Sequence, residues 1–397
     1  MIRIKNIALI VEADSYLPLA KKIGNLLSEN DWEVSLIILK RSGITLISER
    51  QLRRFGMLKF SLIYIDYEYV SQNAQWACKF DAVFLGLTGA AARDQIKLLR
   101  RGLSEKYCPV IVCGFPGVSY YKQTYGQWCK IKADILLFND RRTLRNYRQF
   151  CKVFGITCHN DFLLGYPSLN AMAPQPDQQK DLVYIDQSIL PKSYKDRRNL
   201  FKKIIEYGEK NKFRKISFLA RNQIGEHNLH PNEVECHISK IVSELLDDEC
   251  LNIEVEISYA SPEEALRHCS VCLGITSTVL LEAMNAGIPT TPLRAKGIGG
   301  AFNGTRLFQL SPMAMHIEDL VHGASPTLPT SSWKHENIFY PTKSVEEYFA
   351  FKLEKIISLT DTKSRSRPSV VRLPNWVMKF ICRLFDCYFH RSIRTKL

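Results

Sequence analysis

Three neighbouring hydroxyl side chains, Thr276, Ser277 and Thr278, separate an apolar strand-like run at 271–275 from an apolar helical pattern. The start of a helix offers N–H groups without partners and the positive end of the helix dipole, so it suits a phosphate. We therefore predict a phosphate site here, with Glu282, one turn further on, accepting hydrogen bonds from ribose hydroxyls. The alternative is an ordinary helix cap, because serine and threonine are common caps.

Two histidines lie in the loop 221–231, which follows a predicted strand. His227 and His230 can donate to the same phosphate, and His230 can also act as an acid on a leaving group. Pro231 holds this loop and starts the next helix. Ser188, after another predicted strand, can add a hydroxyl to the site. The alternative for the histidines is a solvent-exposed loop without function.

Acidic residues and glycines end predicted strands in the first half of the chain. Asp14, in the segment 12–16, is a candidate base for deprotonating an acceptor hydroxyl, or else a cap for the helix that follows. Gly89, Gly114 and Gly117 follow two further strands, where glycine lets the backbone approach a ligand closely. These segments do not match a G-x-G-x-x-G or Walker loop, so a dinucleotide or ATP site is not indicated.

The elements that position these residues form a repeating pattern of short apolar strands and helices, which is typical of parallel sheets covered on both faces. A polar, proline-containing linker at 174–180 divides the pattern. We predict an α/β protein with Rossmann-like domains at 1–172 and 181–345, followed by a closing helix and tail at 346–397. The carboxyl ends of the two sets of strands are expected to face a central cleft that binds the ligand.

Composition narrows the class of protein. The 397 residues carry a net charge of +14, which suits nucleic acid, anionic membranes or acidic substrates. The 12 cysteines are scattered and read as reduced thiols of a cytoplasmic protein, since no signal peptide is evident at the N-terminus. Cys269 and Cys272 have metal or redox spacing, but they enter an apolar strand and are predicted to be core residues. A nucleic-acid-binding protein is disfavoured because the charge is diffuse.

The tail carries an apolar face at helical spacing beside basic residues. A basic amphipathic helix of this kind can lie in a membrane interface, and the alternative is packing on the body or on a partner subunit. We predict that 371–397 binds an anionic membrane surface at the inner face of the cell membrane. The apolar residues are Trp376, Val377, Phe380, Ile381, Leu384, Phe385, Tyr388 and Phe389.

The segment 274–289 resembles the nucleotide-binding segment of GT-B glycosyltransferases. Together with His230-Pro231, it is similar to the His-Pro and Ser-Ser motifs of bacterial sialyltransferases and polysialyltransferases, which invert configuration and use CMP-sialic acid. The resemblance implies that His230 contacts the donor phosphate or acts as the acid, that Ser277 and Thr278 bind that phosphate, and that a first-domain carboxylate is the base. The sequence departs from that family in lacking its acidic pair followed by glycine, and in having threonine for the second serine.

The resulting prediction is an inverting, metal-independent glycosyltransferase of GT-B fold. It needs no cofactor beyond its nucleotide-sugar co-substrate and transfers a sugar to a glycan or glycolipid acceptor. One alternative is a polyol-phosphate transferase of the teichoic-acid type. A sugar epimerase of GT-B shape and a nucleotide-sugar-binding protein without catalysis are the others.

Overall fold

The computed structural model describes residues 4–118, 124–157, 160–169, 180–187, 190–224, 226, 236–248, 252–294, 306–360 and 375–394. The chain forms two compact units, one of Met1–Pro167 with Glu336–Leu397 and one of Ser168–His335. The predicted closing helix and tail therefore belong to the first unit. The boundary at 335 lies ten residues before the predicted one at 345.

The first unit, unit 1, is built on a mostly parallel sheet whose strand order is β4-β2-β1-β5-β6-β7-β8, with the short β3 antiparallel to β2. Its strands are β1 (Asn6–Val11), β2 (Glu33–Arg41), β3 (Ile44–Thr45), β4 (Ser61–Asp66), β5 (Ala82–Gly86), β6 (Val110–Cys113), β7 (Ile135–Phe138) and β8 (Asp161–Leu163). Its helices are α1 (Leu17–Ser28), α2 (Glu49–Arg54), α3 (Tyr67–Gln72), α4 (Gly89–Gly102), α5 (Thr124–Lys130) and α6 (Arg141–Val153).

Unit 2 contains a parallel sheet of order β11-β10-β9-β12-β13-β14. The strands are β9 (Asp181–Ile185), β10 (Lys215–Leu219), β11 (Glu254–Ser258), β12 (Cys269–Gly274), β13 (Thr290–Arg294) and β14 (Met315–His316). The helices are α7 (Tyr194–Lys210), α8 (Ile238–Asp248), α9 (Pro262–Leu266), α10 (Thr278–Asn285), α11 (Arg306–Gln309) and α12 (Ile317–Val321). Then α13 (Ser331–Asn337) crosses the boundary, and α14 (Lys343–Thr360) and α15 (Asn375–Arg394) return to unit 1.

Both faces of the unit 1 sheet are covered, as the fully apolar strands predict. Along β1, Ala8 and Ile10 enter one hydrophobic core, whereas Leu9 and Val11 enter the other. This division follows from the alternation of side chains along a strand. The predicted α/β class with two Rossmann-like sheets is confirmed.

The cysteines behave as core residues where the structure describes them. Cys269 and Cys272 are buried in β12 and form no disulfide. The other buried cysteines of the described segments form none either. The Ser261 hydroxyl accepts a hydrogen bond from the Glu264 N–H at 3.2 Å and so caps the start of α9.

The tail forms the predicted helix, α15, and one side of it packs on unit 1. Met378, Cys382 and Phe385 join the core that α4 and α6 cover, and the Phe385 ring lies 5.3 Å from the Phe150 ring, edge to face. A second side is exposed, with Phe380 at 59% and Leu384 at 53%. Packing on the body thus accounts for part of the predicted apolar face. Among the described residues, no helix is long and apolar enough to cross a bilayer.

Candidate functional site

Each sheet has one point at which the strand order reverses, and ligands of open α/β sheets bind at the carboxyl ends of the strands there. In unit 1 the reversal lies between β1 and β5, and in unit 2 it lies between β9 and β12. The predicted hydroxyl cluster follows β12, and the predicted base Asp14 follows β1. Both predictions therefore fall on the edge of a sheet where its topology favours a ligand.

The turn between β12 and α10 is built as a helix start. Ser277 is the N-cap, and its hydroxyl accepts a hydrogen bond from the Val279 N–H at 3.2 Å. Thr278 is the first residue of the helix and is half-buried, whereas the Thr276 side chain is buried. The first turn of α10 carries no acidic residue, so the positive end of its dipole is not offset locally. This arrangement can hold an anion.

The loop after β9 is tied to this turn. The Gln187 side-chain amide donates a hydrogen bond to the Thr276 carbonyl oxygen. Asp186, at the end of the same strand, forms a buried ion pair with Arg197 of α7, with 2.8 Å between Oδ1 and Nη2. Burial raises the pKa of Asp186, and the Arg197 guanidinium opposes that rise. Two loops thus meet at the reversal point of unit 2.

Four predicted site residues lie outside the described part of the chain: Ser188, His227, His230 and Pro231. Of the remaining donor-side residues, Glu282 lies within α10 and is half-buried. His237, which the sequence patterns did not single out, is buried, and its Nε2 lies 3.0 Å from the Asn222 carbonyl oxygen. It therefore fixes the backbone that follows β10.

Acidic side chains follow the carboxyl ends of the strands at the reversal point of the unit 1 sheet. Glu12 is 2% exposed; one carboxylate oxygen accepts from the Thr88 N–H and the other lies 2.9 Å from the Arg41 guanidinium. Asp14, in a short 3-10 turn, is buried, and its carboxylate accepts from the Gln51 amide at 3.3 Å. Two carboxylates therefore lie at the reversal point of this sheet. The sequence predicts only Asp14 of these two as a candidate base.

A buried lysine lies beneath the same edge. Lys130 Nζ donates to the Gly114 carbonyl at 2.6 Å and lies 3.3 Å from the Tyr16 hydroxyl, which donates to the Leu87 carbonyl at 2.6 Å. Burial lowers the pKa of Lys130 to about 8. These bonds connect the ends of β1, β5 and β6. The local pattern gave little sign of this role, because the partners come from distant segments.

The three predicted glycines differ in their surroundings. A Cβ at Gly114 would lie 2.5 Å from the Leu19 side chain, so the glycine permits close packing. Gly117 has a φ of +59°, and its carbonyl accepts from the Asn139 amide at 2.7 Å. Gly89 starts α4, and a Cβ there would approach the Gly126 Cα to 3.3 Å. Approach of a ligand to these glycines stays a prediction. Across the described segments, no group of three His, Cys, Asp or Glu side chains is placed to hold a metal ion.

The fold is similar to solved structures of enzymes that use nucleotide sugars. A Listeria monocytogenes protein titled "putative UDP-N-acetylglucosamine 2-epimerase" is 13% identical, with a TM-score of 0.56 over 94% of this chain and 100% of that one. The UDP-GlcNAc 2-epimerase of Methanocaldococcus jannaschii is also 13% identical, with a TM-score of 0.56 over 88% of this chain and 99% of that one. Arabidopsis thaliana UGT89C1, complexed with UDP, is 9% identical, with a TM-score of 0.52 over 90% and 99%.

These similarities establish the GT-B fold. Among curated protein sequences, none matches this chain significantly. A family model described as "Putative glycosyltransferase (DUF6716)" matches residues 7–352, which include both sheets and both reversal points. The chain therefore belongs to this glycosyltransferase family.

Proposed function

We propose that unit 2 binds the phosphate of a nucleotide-sugar donor at the N-terminus of α10. The observation that carries this proposal is the difference between two equivalent helix starts. In unit 1, the Glu12 carboxylate accepts the N–H at the start of α4, so an anion of the protein itself occupies that position. In unit 2, the neutral Ser277 hydroxyl caps α10. A phosphate is favoured at α10, and the Glu12 carboxylate repels one at α4.

Unit 1 supplies the acidic group in this proposal. Both oxygens of Glu12 are engaged by Thr88 and Arg41, so its role is to fix the edge of the sheet. Asp14 is the proposed base that accepts the proton of an acceptor hydroxyl, as the sequence predicted. Attack by that hydroxyl at the anomeric carbon breaks the bond to the nucleotide phosphate and inverts configuration. His230, with His227 and Ser188, is proposed to assist departure of the phosphate.

The donor within this proposal is CMP-sialic acid, on the strength of the His-Pro and hydroxyl motifs alone. The phosphate then leaves without a metal ion, because the helix dipole, the hydroxyls and the histidine stabilise its charge. A polyol-phosphate transferase of the teichoic-acid type would use the same phosphate-binding features with a CDP-linked donor, and remains the second candidate. The solved relatives that carry UDP make a UDP-linked donor the third.

A panel of nucleotides tests the proposal. CMP, CDP, UDP and GDP are titrated against the full chain by calorimetry, and each matching donor is then assayed for hydrolysis with and without EDTA. We expect binding of one pyrimidine nucleotide and turnover that EDTA leaves unchanged. Failure of all four nucleotides to bind would remove the donor site. Loss of turnover with EDTA would remove metal independence only.

The double variant Ser277→Ala, Thr278→Ala tests the phosphate position. It removes two hydroxyls and leaves the helix N–H groups. Because each hydrogen bond to a charged group is worth about 1.5–3 kcal/mol, we expect donor affinity to fall by about a hundredfold or more. The matched control is Thr88→Ala, at the equivalent helix start of unit 1. Equal affinity of the double variant and the control would contradict the assignment.

We further propose that the exposed side of α15 holds the protein at an anionic membrane. Phe380 and Leu384 are one helical turn apart and exposed, and Lys379 and Arg383 beside them are exposed as well. Apolar side chains flanked by cations suit the headgroup region of anionic lipids. At the inner face of the cell membrane, such an attachment would bring the enzyme to a lipid-linked glycan acceptor.

Vesicle flotation tests this attachment. We expect the chain to float with phosphatidylglycerol vesicles but not with phosphatidylcholine vesicles, and the Phe380→Ser, Leu384→Ser variant to lose flotation. Point substitutions are preferable to deletion of 371–397, because deletion would also remove core residues such as Phe385. The control is Phe351→Ser, Leu359→Ser, which changes exposed apolar residues of α14. Flotation of the α15 variant at the wild-type level would contradict the proposal.

A further inference from the structure

Arg197 is buried at the reversal point of unit 2, where it joins three groups of one loop. Its side chain has no exposure; Nη2 lies 2.8 Å from Asp186 Oδ1, and Nη1 donates to the carbonyls of Gln187 at 2.7 Å and Leu190 at 3.1 Å. A planar guanidinium can satisfy a carboxylate and two carbonyls at once, which the point charge of lysine cannot do with the same geometry. Arg197 therefore holds the described residues of the loop after β9, which are Asp186, Gln187 and Leu190.

The same loop fixes one peptide of the predicted phosphate turn. The Gln187 amide donates to the Thr276 carbonyl oxygen. In a trans peptide the carbonyl and the following N–H lie in one plane and point in opposite directions. Holding the Thr276 carbonyl toward Gln187 therefore directs the Ser277 N–H away from Gln187. That N–H is one of the donors through which the start of α10 would contact a phosphate.

We infer that Gln187 and Arg197 are positioning residues for the phosphate turn. Arg197 holds the loop, Gln187 holds the Thr276 peptide, and the peptide directs the Ser277 N–H at the donor phosphate. This inference rests on the proposed function, because it assumes that the turn binds a phosphate. It adds two residues that lie in the preceding loop and in α7, outside the motif itself.

The variant Gln187→Met tests the second link. Methionine keeps the length of the side chain but cannot donate, so we expect nucleotide affinity to fall about three- to tenfold, while the melting temperature of the free protein stays near that of wild type. The matched control is Gln309→Met. The Gln309 amide also donates to a backbone carbonyl of unit 2, that of Leu293 at 2.9 Å, but outside the phosphate turn.

Arg197→Lys tests the first link. Lysine keeps a cation for Asp186 but lacks the planar fork of the guanidinium. We therefore expect this variant to keep most of the wild-type melting temperature but to lose nucleotide affinity. Its control is Arg214→Lys, which alters a forked pair with Asp181 at the opposite end of β9.

CMP and UDP are the probes, and affinity is measured by calorimetry beside thermal melting. Wild-type affinity in Gln187→Met would overturn the inference while leaving the donor site intact. Wild-type affinity in Arg197→Lys would reduce Arg197 to a charge partner and overturn its positioning role. If wild type binds neither CMP nor UDP, CDP and GDP replace them as probes. If it binds none of the four nucleotides, the proposed function itself fails, and the inference fails with it. If Arg197→Lys does not fold, the result from Gln187→Met decides.

Discussion

Helices α4 and α10 occupy the same place in their sheets, yet their first residues are held in opposite ways. Each helix follows the strand that lies next to the first strand across the reversal point. The N-terminus of α4 is covered by the Glu12 carboxylate, and that of α10 by the hydroxyl of its own Ser277. One topology thus gives one helix start that is covered by a carboxylate and another that is capped by a neutral hydroxyl. The residues at the strand ends decide which of the two forms.

The buried charged groups near the reversal points of the two sheets differ as well. Under unit 2, Arg197 and Asp186 neutralise each other in the interior. Under unit 1, Lys130 is buried among a carbonyl, the Tyr16 hydroxyl and the rings of Tyr16 and Phe115, and no carboxylate of the described residues forms a salt bridge with it. The buried arginine of unit 2 therefore has an ion-pair partner, whereas the contacts of Lys130 are with neutral groups. The lowered pKa of Lys130 makes the stability of unit 1 depend on pH.

The largest expected effect comes from breaking the arginine pairs at the two edges. Arg197→Met leaves Asp186 charged and buried, so we expect the free energy of unfolding to fall by about 3–5 kcal/mol. Arg41→Met should cost about 1 kcal/mol, because Arg41 is half-exposed and Glu12 keeps the Thr88 N–H as a partner. Urea denaturation of both variants measures the difference. Similar losses of unfolding free energy in the two variants would show that the two arginine–carboxylate pairs contribute equally to stability.

Lys130 should make the stability of unit 1 depend on pH. Its pKa is about 8 in the folded protein and 10.5 for an ordinary lysine, so between these values the unfolded chain binds more protons. The free energy of unfolding should therefore rise with pH across this window, by on the order of 3 kcal/mol from this group. Below pH 8 the full penalty of the buried cation is present.

The Lys130→Met variant provides the control for this pH effect. Groups distant from Lys130 contribute equally to both proteins, so the difference between the two stability profiles reports Lys130 together with its effect on the thiols of Cys113 and Cys129. The measurement is chemical denaturation at intervals from pH 7 to about 10.5. Parallel profiles for wild type and variant would refute a lowered pKa at this lysine.

The smallest effect separates the two helix caps. Ser277→Ala removes a hydroxyl that accepts from the Val279 N–H, and should lower the free energy of unfolding by about 1 kcal/mol. The Thr88 side chain forms no such cap bond, so Thr88→Ala should change it by less than about 0.5 kcal/mol. Thermal or urea unfolding of the two single variants is sufficient. A larger loss for Thr88→Ala would reverse the comparison.

Local pattern was enough to predict the sheets, because apolar strands and helices repeat at short range. The strand-like run at 271–275, for example, overlaps β12, Cys269–Gly274. The turn between β12 and α10 was also predicted, since Ser277 and the helix after it are contiguous. By contrast, the hydrogen bond from Thr88 to Glu12 spans 76 residues and that from Lys130 to Tyr16 spans 114. Periodicity carries no information on such pairs, so the closed state of α4 could not be predicted.

The C-terminal helix α15 also shows where prediction from local sequence pattern stops. Helical spacing correctly predicted α15 and its apolar character. It could not tell which apolar residues meet the body, because the stripe is wider than one contact surface. The structure divides it: Phe385 packs into the core, and Phe380 and Leu384 remain exposed.

Unit 1 is assembled from both ends of the chain, and this has a consequence for synthesis on the ribosome. Phe349 and Leu353 of α14 fill one of its cores, and Cys382 and Phe385 of α15 fill the other. Unit 2 is a continuous segment and can complete its own core while α14 is still unmade. The two cores of unit 1 instead stay incomplete, with apolar surface exposed on both faces of the sheet, until α14 and α15 have been synthesised. Chaperone dependence during translation is therefore expected to be greatest for the half of the protein that is made first.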